Sequence, residues 1–318
     1  MEETSAPQIE QLFQEGRQAE ALDLLKQAVH SNPNNPLAHL NLGNAFARLG
    51  QWELAMGGWT RSIELNPNLE VSLHNLALAY MQLGVSDRAV DYWQRLLAVN
   101  PRSQEALGSL ASYYFARGLF HEAERMLLSL QEVNPENCVA HSNLGTVYRQ
   151  LNQSAKAIRE FEQSIALSSR YPVAHYNLGL LYLEGDRLSE AEESFRRALE
   201  LDENYSDAHL NLALVYMRQN RLAEARGELM KTLELAPDNA LAHYNLGLVF
   251  LESKEFGKAI ACFEQSRTAG LDTPLLYFNL GMCHYYNGDR ESAQSYWALV
   301  PKTETALLSA IQEKLAER

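Results

Sequence analysis

Four histidines at a fixed spacing of 34 residues are the side chains in this sequence most suited to metal chemistry. They are His141, His175, His209 and His243. One metal ion needs ligand atoms that converge to about 2 Å from it. Equivalent side chains of stacked helical hairpins stand roughly 10 Å apart when packed helices keep their usual spacing. We therefore expect these rings to pack, each with one ring nitrogen hydrogen-bonded, and we predict no metal site.

Cysteines and paired carboxylates are the other groups whose chemistry is of interest. Cys138, Cys262 and Cys283 are odd in number and lack a Cys-x-x-Cys spacing, which is typical of reduced core thiols in a cytoplasmic protein. Glu192 and Glu193 are adjacent, so on a helix they point in different directions and cannot act as an acid and base pair. The sequence also lacks phosphate-loop, zinc-protease and hydrolase motifs. We expect neither catalysis nor a cofactor.

The 34-residue period extends over nearly the whole chain without an insertion or deletion. It is carried by alanines 21, 55, 89, 123, 157, 191, 225, 259 and 293. A leucine followed by glycine or alanine keeps the same phase, from Leu42-Gly43 to Leu280-Gly281, and an aromatic residue usually follows three positions later. Two independent series in one phase identify an internal repeat.

Each repeat has the pattern of two helices joined by a turn. Apolar residues recur at steps of three and four on either side of a polar turn such as Glu184-Gly185-Asp186. Prolines between repeats, for example Pro67 and Pro101, end one helix and allow the next to begin. Gly57-Gly58 falls inside a second helix, where it predicts close packing or a slight hinge.

This pattern of Leu-Gly, aromatic, Ala, aromatic and Pro resembles the tetratricopeptide repeat across essentially all of residues 2–318. The family's tryptophan near the start of the first helix is replaced, mostly by histidine. The resemblance implies an all-α fold, a right-handed α-α superhelical solenoid of about nine hairpins plus a C-terminal capping helix. In character the chain is similar to the repeat region of O-linked N-acetylglucosamine transferases, without a catalytic domain.

The uninterrupted register predicts a single solenoid domain over residues 1–318. Its expected parts are a degraded first repeat (2–35), full repeats (36–69, 70–103, 104–137, 138–171, 172–205, 206–239 and 240–273), a last repeat (274–302) and the capping helix (303–318). Pro7 is expected to cut the first helix short, which would leave Ile9, Leu12 and Phe13 poorly covered.

Charge and hydropathy exclude some classes of partner. The net charge of −13 argues against nucleic acid, since phosphate binding needs a clustered cationic surface. No apolar run is long enough to span a bilayer, and the polar start does not resemble a signal peptide. We expect a cytoplasmic protein without membrane insertion.

In tetratricopeptide arrays the first helices line a concave groove, and the resemblance implies that side chains at fixed positions face it. The sixth position of each repeat holds Asn41, Asn75, Asn143, Asn177, Asn211, Asn245 and Asn279, broken only by Ser109. An amide can donate to and accept from a peptide backbone at once. The roughly 10 Å spacing of hairpins would place one asparagine at every third residue of an extended peptide. The alternative is that asparagine is simply common at this position in the family.

The groove positions near the C-terminus are apolar, whereas those of the earlier repeats are more polar. The candidate contact residues are Tyr176, Leu180, Leu210, Leu214, Met217, Tyr244, Leu248, Phe278 and Met282. Aromatic and methionine side chains in a groove are typical of a site for an amphipathic helix or an apolar peptide. The alternative is that a tightly wound superhelix buries part of this strip against itself.

Three functions are compatible with these features. The first is a non-catalytic scaffold that binds a peptide or helix of a partner protein in the concave groove. The second is self-assembly into homo-oligomers, with the apolar N-terminal residues of one copy in the groove of the next. The third is the substrate-recruiting part of a glycosyltransferase-type enzyme whose catalytic part is absent.

Overall fold

The structure of the protein is a computed structural model that describes residues 6–316. Over this range it contains nineteen α-helices and no β-strand. The helices are α1 (Ala6–Gln14), α2 (Gln18–Ser31), α3 (Pro36–Arg48), α4 (Trp52–Leu65), α5 (Glu70–Gln82), α6 (Ser86–Val99), α7 (Gln104–Ala116), α8 (Phe120–Val133), α9 (Cys138–Gln150), α10 (Ser154–Leu167), α11 (Pro172–Glu184), α12 (Leu188–Leu201), α13 (Ser206–Arg218), α14 (Leu222–Leu235), α15 (Ala240–Glu252), α16 (Phe256–Thr268), α17 (Pro274–Tyr286), α18 (Arg290–Trp297) and α19 (Thr305–Ala316). The predicted all-α fold is confirmed.

We call the odd-numbered helices α1 to α17 A helices and the even-numbered helices B helices. Within each of the two compact units described below, an A helix pairs with the following B helix into an antiparallel hairpin. The start of an A helix is often capped by a side chain that accepts a hydrogen bond from a backbone N–H of the first turn. The capping residues are Asn35, Ser103, Asn137, Asn239 and Thr273. Proline occupies the first turn of α3, α11 and α17, where no backbone donor is needed. These signals recur at the repeat period, which explains why helices begin in phase.

The turn inside each hairpin requires one residue in the left-handed backbone region. Glycine supplies it in five hairpins, for example Gly84 with φ of 73°. In the other A–B turns a residue with a side chain takes this place, with φ between 56° and 59°. These residues are Asn152, Asp186, Asn220 and Lys254. Asparagine and aspartate tolerate this region, but a lysine there is strained. The constant position of this residue keeps every A–B turn the same length.

Small residues allow the two helices of a hairpin to approach closely. All nine alanines of the 34-residue series are 0% exposed. A Cβ atom on Gly43 would lie 2.8 Å from the Trp59 ring, and one on Gly58 would lie 2.9 Å from the carbonyl of His39. The glycine pair in α4 therefore marks close packing, and its second member is the one that packs.

The chain packs as two compact units, one ending at Asn152 and the other beginning at Gln153; we call them the N-unit and the C-unit. A hydrophobic core in the N-unit includes Trp59, Leu76 and Trp93. A core in the C-unit extends from Leu183 to Cys283. That one continuous solenoid spans the whole chain stays a prediction.

The first helix covers its apolar residues, so the expectation of a poorly protected N-terminal end is wrong. Leu12 is buried, with 7% of its surface exposed. The Arg48 guanidinium lies 5.0 Å from the centre of the Phe13 ring and 2.7 Å from the Glu10 carboxylate. Pro7 lies in the first turn of α1, where proline is tolerated. It therefore does not prevent α1 from packing.

The last helix, α19, packs on the final hairpin through one apolar face. Leu307, Leu308 and Ile311 contact a small core that includes Trp297 and Val300. Within residues 6–316, no helix has the length and apolar character needed to cross a membrane.

Candidate functional site

The A helices of the C-unit lie side by side on one surface. Helix α11 contacts α13, α13 contacts α15, and α17 contacts α19. We call the side chains at positions 2, 5, 6, 9, 12 and 13 of each A helix the A-helix face, counting from the first helical residue. The asparagine series and the apolar candidates all belong to this face.

In the N-unit, two asparagines of the series are available to a ligand. Asn41 and Asn143 are exposed, and neither forms a hydrogen bond with another residue of the described range. Asn75 is half-buried and donates its amide to Oδ1 of Asn44 at 2.9 Å. The Trp59 indole donates to the same oxygen at 2.8 Å. Asn75 therefore has its donor engaged, whereas the other two amides keep donor and acceptor unused.

Each of these two exposed asparagines borders a cavity. Asn143 lies beside one of about 150 Å³, enclosed between α7 and α9 by Ala111, Phe115, Leu127 and Val147 among others. Asn41 lies beside one of about 220 Å³ between α1 and α3. An amide at the edge of a cavity of this volume can hydrogen-bond a peptide backbone while one side chain of the peptide enters the cavity.

The walls of the α7–α9 cavity are less polar than their sequence indicates. The hydroxyl groups of Ser112 and Thr146 donate to the carbonyls of Gly108 and Ser142 in their own helices, each at 3.0 Å. Their donors are therefore satisfied by backbone. The remaining lining is largely apolar, apart from the Asn143 amide.

In the C-unit, two asparagines connect neighbouring A helices. Asn211 donates to the Tyr176 hydroxyl at 3.2 Å and to the carbonyl of Asp207 at 2.8 Å. Asn279 donates to the Tyr244 hydroxyl at 2.9 Å and is only 6% exposed. In both cases a tyrosine at position 5 of one A helix binds the asparagine at position 6 of the next. These amide donors therefore stabilise the packing of neighbouring A helices.

The two remaining C-unit asparagines differ in exposure. Asn245 is 8% exposed, which leaves little of its surface to a ligand. Asn177 is half-buried, and its amide has no hydrogen bond to a described residue. Asn177 is therefore the C-unit asparagine best placed to contact a peptide.

The apolar candidates of the C-unit form a row that is mostly half-buried. Leu180, Met217 and Leu248 are partly covered by packing against the core, Leu214 is half-buried, and Leu210 is 8% exposed. These side chains fill spaces between A helices and also present a surface. Part of the strip is thus buried within the protein, as the alternative interpretation anticipates.

Aromatic candidates are held by other rings or by α19. The centroids of Tyr176 and Tyr244 lie 5.8 Å and 5.5 Å from those of Phe195 and Phe263, respectively. Phe278 and Met282 pack against the small core that α19 completes. Positions 5 and 9 of the last A helix are therefore covered by the chain itself, whereas Leu275 at position 2 and Tyr286 at position 13 stay exposed.

The structure exposes a second apolar series, at position 2 of the A helices, which the sequence analysis did not assign to ligand contact. It consists of Leu37, Val71, Val139, Leu241 and Leu275, whose exposed fractions range from 43% to 53%. Aligning the repeats on the helix starts would have revealed it, because the side chain at the second helical residue has no preceding turn to cover it. These exposed side chains extend the apolar surface on both units.

The histidine series has a structural role. In three members of the series, and in His39 at the same repeat position, Nε2 bonds a carbonyl six residues earlier at 2.8–3.0 Å, in the pairs His39–Pro33, His141–Pro135, His209–Glu203 and His243–Pro237. His175 is the exception, because its Nε2 has no such bond. Each bond ties the A helix to the loop before it. Among residues 6–316, no three His, Cys, Asp or Glu side chains are arranged to hold a metal.

Comparison with known families places this architecture in one class. Tetratricopeptide repeat families match residues 10–50, 74–136, 142–206 and 205–272. Together these matches span well over half of the chain. The chain belongs to the tetratricopeptide repeat family, whose members typically act as protein-interaction scaffolds.

Solved structures agree with this assignment at the level of the fold. The chain is similar to Pseudomonas aeruginosa pilF, with 22% identity, a TM-score of 0.61, and coverage of 68% of this chain and 97% of pilF. It is also similar to a chain of the APC/C hetero-tetramer Cut9-Hcn1, with 18% identity, a TM-score of 0.62, and coverage of 86% and 54%. The C-terminal part of a repeat protein from Cytophaga hutchinsonii gives 16% identity, a TM-score of 0.59, and coverage of 75% and 98%. Comparison with curated proteins gives no significant match.

Proposed function

We propose that this protein is a non-catalytic scaffold that binds a segment of a partner protein on its A-helix face. The observation that carries the proposal is the pairing of each exposed asparagine, Asn41 and Asn143, with an adjoining cavity. The amide binds the backbone of an extended peptide, and the cavity receives an apolar side chain. Rigid hairpins present these groups at little cost in ordering.

On the C-unit the ligand contacts are mainly apolar. Leu214, Met217 and Leu248 form the strip, exposed Leu241 extends it, and Asn177 offers an unused amide. This combination suits a partner segment with several apolar side chains. The proposal covers two conformations of the partner segment, extended and helical.

The proposal includes a cytoplasmic location and excludes nucleic acid as the partner. Burial raises the pKa of the Cys262 thiol to about 11 and that of Cys283 to about 12, so both stay protonated and unreactive at neutral pH. The net charge of −13 opposes binding to phosphate backbones.

We do not extend the proposal to homo-oligomers, because Leu12 and its neighbours are covered within the chain. A role in recruiting substrates to a glycosyltransferase stays a hypothesis.

Site-specific photo-cross-linking tests the surface directly. Benzoylphenylalanine replaces Asn143 in the N-unit and Leu214 in the C-unit, and matched controls replace Leu128 and Met230. Both controls are exposed apolar residues on B helices, 40% and 48% exposed. After irradiation in the source cells, we expect protein adducts from the A-helix positions and few from the controls.

Substitutions complement the cross-links. Leu214→Asp with Leu248→Asp should reduce recovery of the same partner about tenfold or more, since two charges would enter the apolar strip. Met230→Asp is the control for added charge, and circular dichroism checks that each variant folds. Equal adducts from the A-helix and B-helix positions would refute the proposed surface.

A further inference from the structure

A second candidate site lies on the C-unit, away from the asparagine series. A cavity of about 760 Å³ opens between α10, α11 and α12. Its lining includes Glu162 from α10, His175 and Tyr182 from α11, and Glu193 from α12. None of these side chains belongs to the A-helix face, so the cavity is independent of the surface proposed above.

The cavity carries more negative charge than its arginines neutralise. Three of its glutamates are paired with arginine, in the pairs Glu190–Arg187, Glu192–Arg196 and Glu200–Arg197, at 2.5–2.9 Å. Glu162 and Glu193 are exposed and form no ion pair with a described residue. These two carboxylates come from opposite walls of the cavity, one from α10 and one from α12.

The charges converge near the Tyr182 hydroxyl. Burial raises the pKa of Tyr182; Arg187 lowers it, and Glu162, Glu190 and Glu193 raise it further. The Arg187 guanidinium lies 4.3 Å from the centre of the tyrosine ring. An aromatic ring among carboxylates already accommodates one guanidinium, and this geometry suits a second.

His175 differs from equivalent histidines in lacking a side-chain partner. His209 has a ring nitrogen 2.6 Å from Glu228, and His141 has one 2.9 Å from Gln131. The residues equivalent to Glu228 and Gln131 around His175 are Ser194 and Ile165. A serine is too short and an isoleucine has no polar group, so neither replaces the missing bond.

The unpartnered ring is almost completely buried. His175 is 9% exposed, and its Nε2 has no hydrogen-bond partner in the described range. Burial lowers its pKa, although the nearby carbonyl of Ser169 acts in the opposite direction. The imidazole is therefore neutral near pH 7. Its Nε2 lies toward the Ser169 carbonyl, as Nε2 of the equivalent histidines lies toward theirs. The acceptor is then Nδ1, the nitrogen that Glu228 and Gln131 contact in the other repeats, on the side of Ser194 and Ile165, which line the cavity.

We propose that this cavity binds an arginine side chain in a basic segment of a partner protein. A guanidinium has five donors in one plane, which can serve carboxylates on two walls and a neutral imidazole together. A cavity of this volume also has room for the peptide backbone beside that arginine. Charge complementarity and the unsatisfied histidine together favour this ligand.

A fluorescein-labelled hexa-arginine peptide is the probe, with affinity measured by anisotropy on the full chain at about 0.1 M salt. Glu162→Gln with Glu193→Gln should weaken binding about fivefold or more. Glu53→Gln with Glu132→Gln is the matched control. It removes two exposed B-helix carboxylates of the N-unit and should change affinity less than about twofold. Equal losses would show only a response to net charge and would overturn the site.

Ser194→Glu separates a shaped site from general attraction. The new carboxylate takes the position that Glu228 has beside His209, so it should bond His175 and fill the cavity. We expect weaker peptide binding although the protein becomes more negative; unchanged or tighter binding would contradict the proposal. Ser194→Ala keeps the cavity open and should bind as the wild type does. If Ser194→Glu fails to fold, the affinity of the Glu162→Gln with Glu193→Gln variant, compared with its control, still tests the proposal. Equal affinity for hexa-lysine would overturn the preference for arginine.

Discussion

At the scale of single residues, the absence of a side chain at one position of each A helix determines how closely the hairpin can pack. The glycines of this series face a bulky ring on the B helix. The pairs are Gly43–Trp59, Gly179–Phe195, Gly247–Phe263 and Gly281–Trp297. Where alanine replaces glycine, as at Ala111 and Ala213, the side chain opposite is Leu127 or Leu229. At these two crossings the larger small residue faces a smaller side chain. Ala77 is the exception, because Trp93 has the opposite position and both are buried.

Gly247→Ala tests this dependence. The new Cβ would lie 2.6 Å from the Phe263 ring, so the helices must separate, and we expect the free energy of unfolding in urea to fall by about 1–3 kcal/mol. Gly227→Ala is the control, since Gly227 lies within α14 and a Cβ there meets nothing within 4 Å. It should raise stability by about 0.5–1 kcal/mol. A neutral Gly247→Ala would show that the crossing can relax.

At the scale of helices, bonds between an A helix and its surroundings explain the different titration of equivalent histidines. Burial tends to lower the pKa of His209, but hydrogen bonds to the Glu228 side chain and the Glu203 carbonyl outweigh it and raise the pKa. Burial lowers the pKa of the equivalent His175. Similar positions therefore carry different charge near neutral pH.

Histidine titration by NMR checks these directions. We expect His209 to titrate above about 6.5 and His175 below it, and Glu228→Gln should lower the pKa of His209. Because the folded-state pKa of His209 is raised, its contribution to stability is complete below the unfolded value of about 6.5. That contribution is lost as pH rises through the folded pKa. The stability advantage of wild type over Glu228→Gln should therefore shrink as pH increases above 6.5; an advantage that grows would contradict the assignment.

The helices could be predicted from the sequence because their signals are local. Alanine phase, first-turn prolines and capping side chains each act within a few residues. The availability of each asparagine could not be predicted from its own repeat, because it depends on side chains of the hairpin before it, chiefly at position 5 and, for Asn75, at position 9. A tyrosine there, Tyr176 or Tyr244, engages the amide of Asn211 or Asn279. Gly108 at that place leaves Asn143 unused, and only the comparison of adjacent repeats reveals the difference.

At the scale of the whole molecule, stability is distributed over many local contacts. Within each unit, helices pack chiefly against the helices next to them in sequence. Such an array behaves as a sum of hairpin stabilities and nearest-neighbour interfaces. Local opening should therefore spread from a weakened hairpin and diminish with distance along the chain.

Hydrogen exchange of Gly247→Ala tests this locality. We expect faster amide exchange in α15 and α16, smaller increases in α13, α14 and α17, and none in α2 to α5. Gly227→Ala should show no acceleration. A uniform increase over all helices would mean that the chain opens as one cooperative body.

The constant hairpin interface, with a buried alanine in every B helix, has a consequence for how such a protein changes in length. Removing residues 206–239 would join Tyr205 to Ala240 and place α15 against α12 in the position that α13 now has. Removing one residue more or fewer would turn all later apolar positions by about 100° around the helix axis. Growth and shrinkage are therefore restricted to whole multiples of 34 residues. Each step of that kind adds or removes one row of side chains on the A-helix face, so under the proposed function the length of the bound segment would change in equal increments.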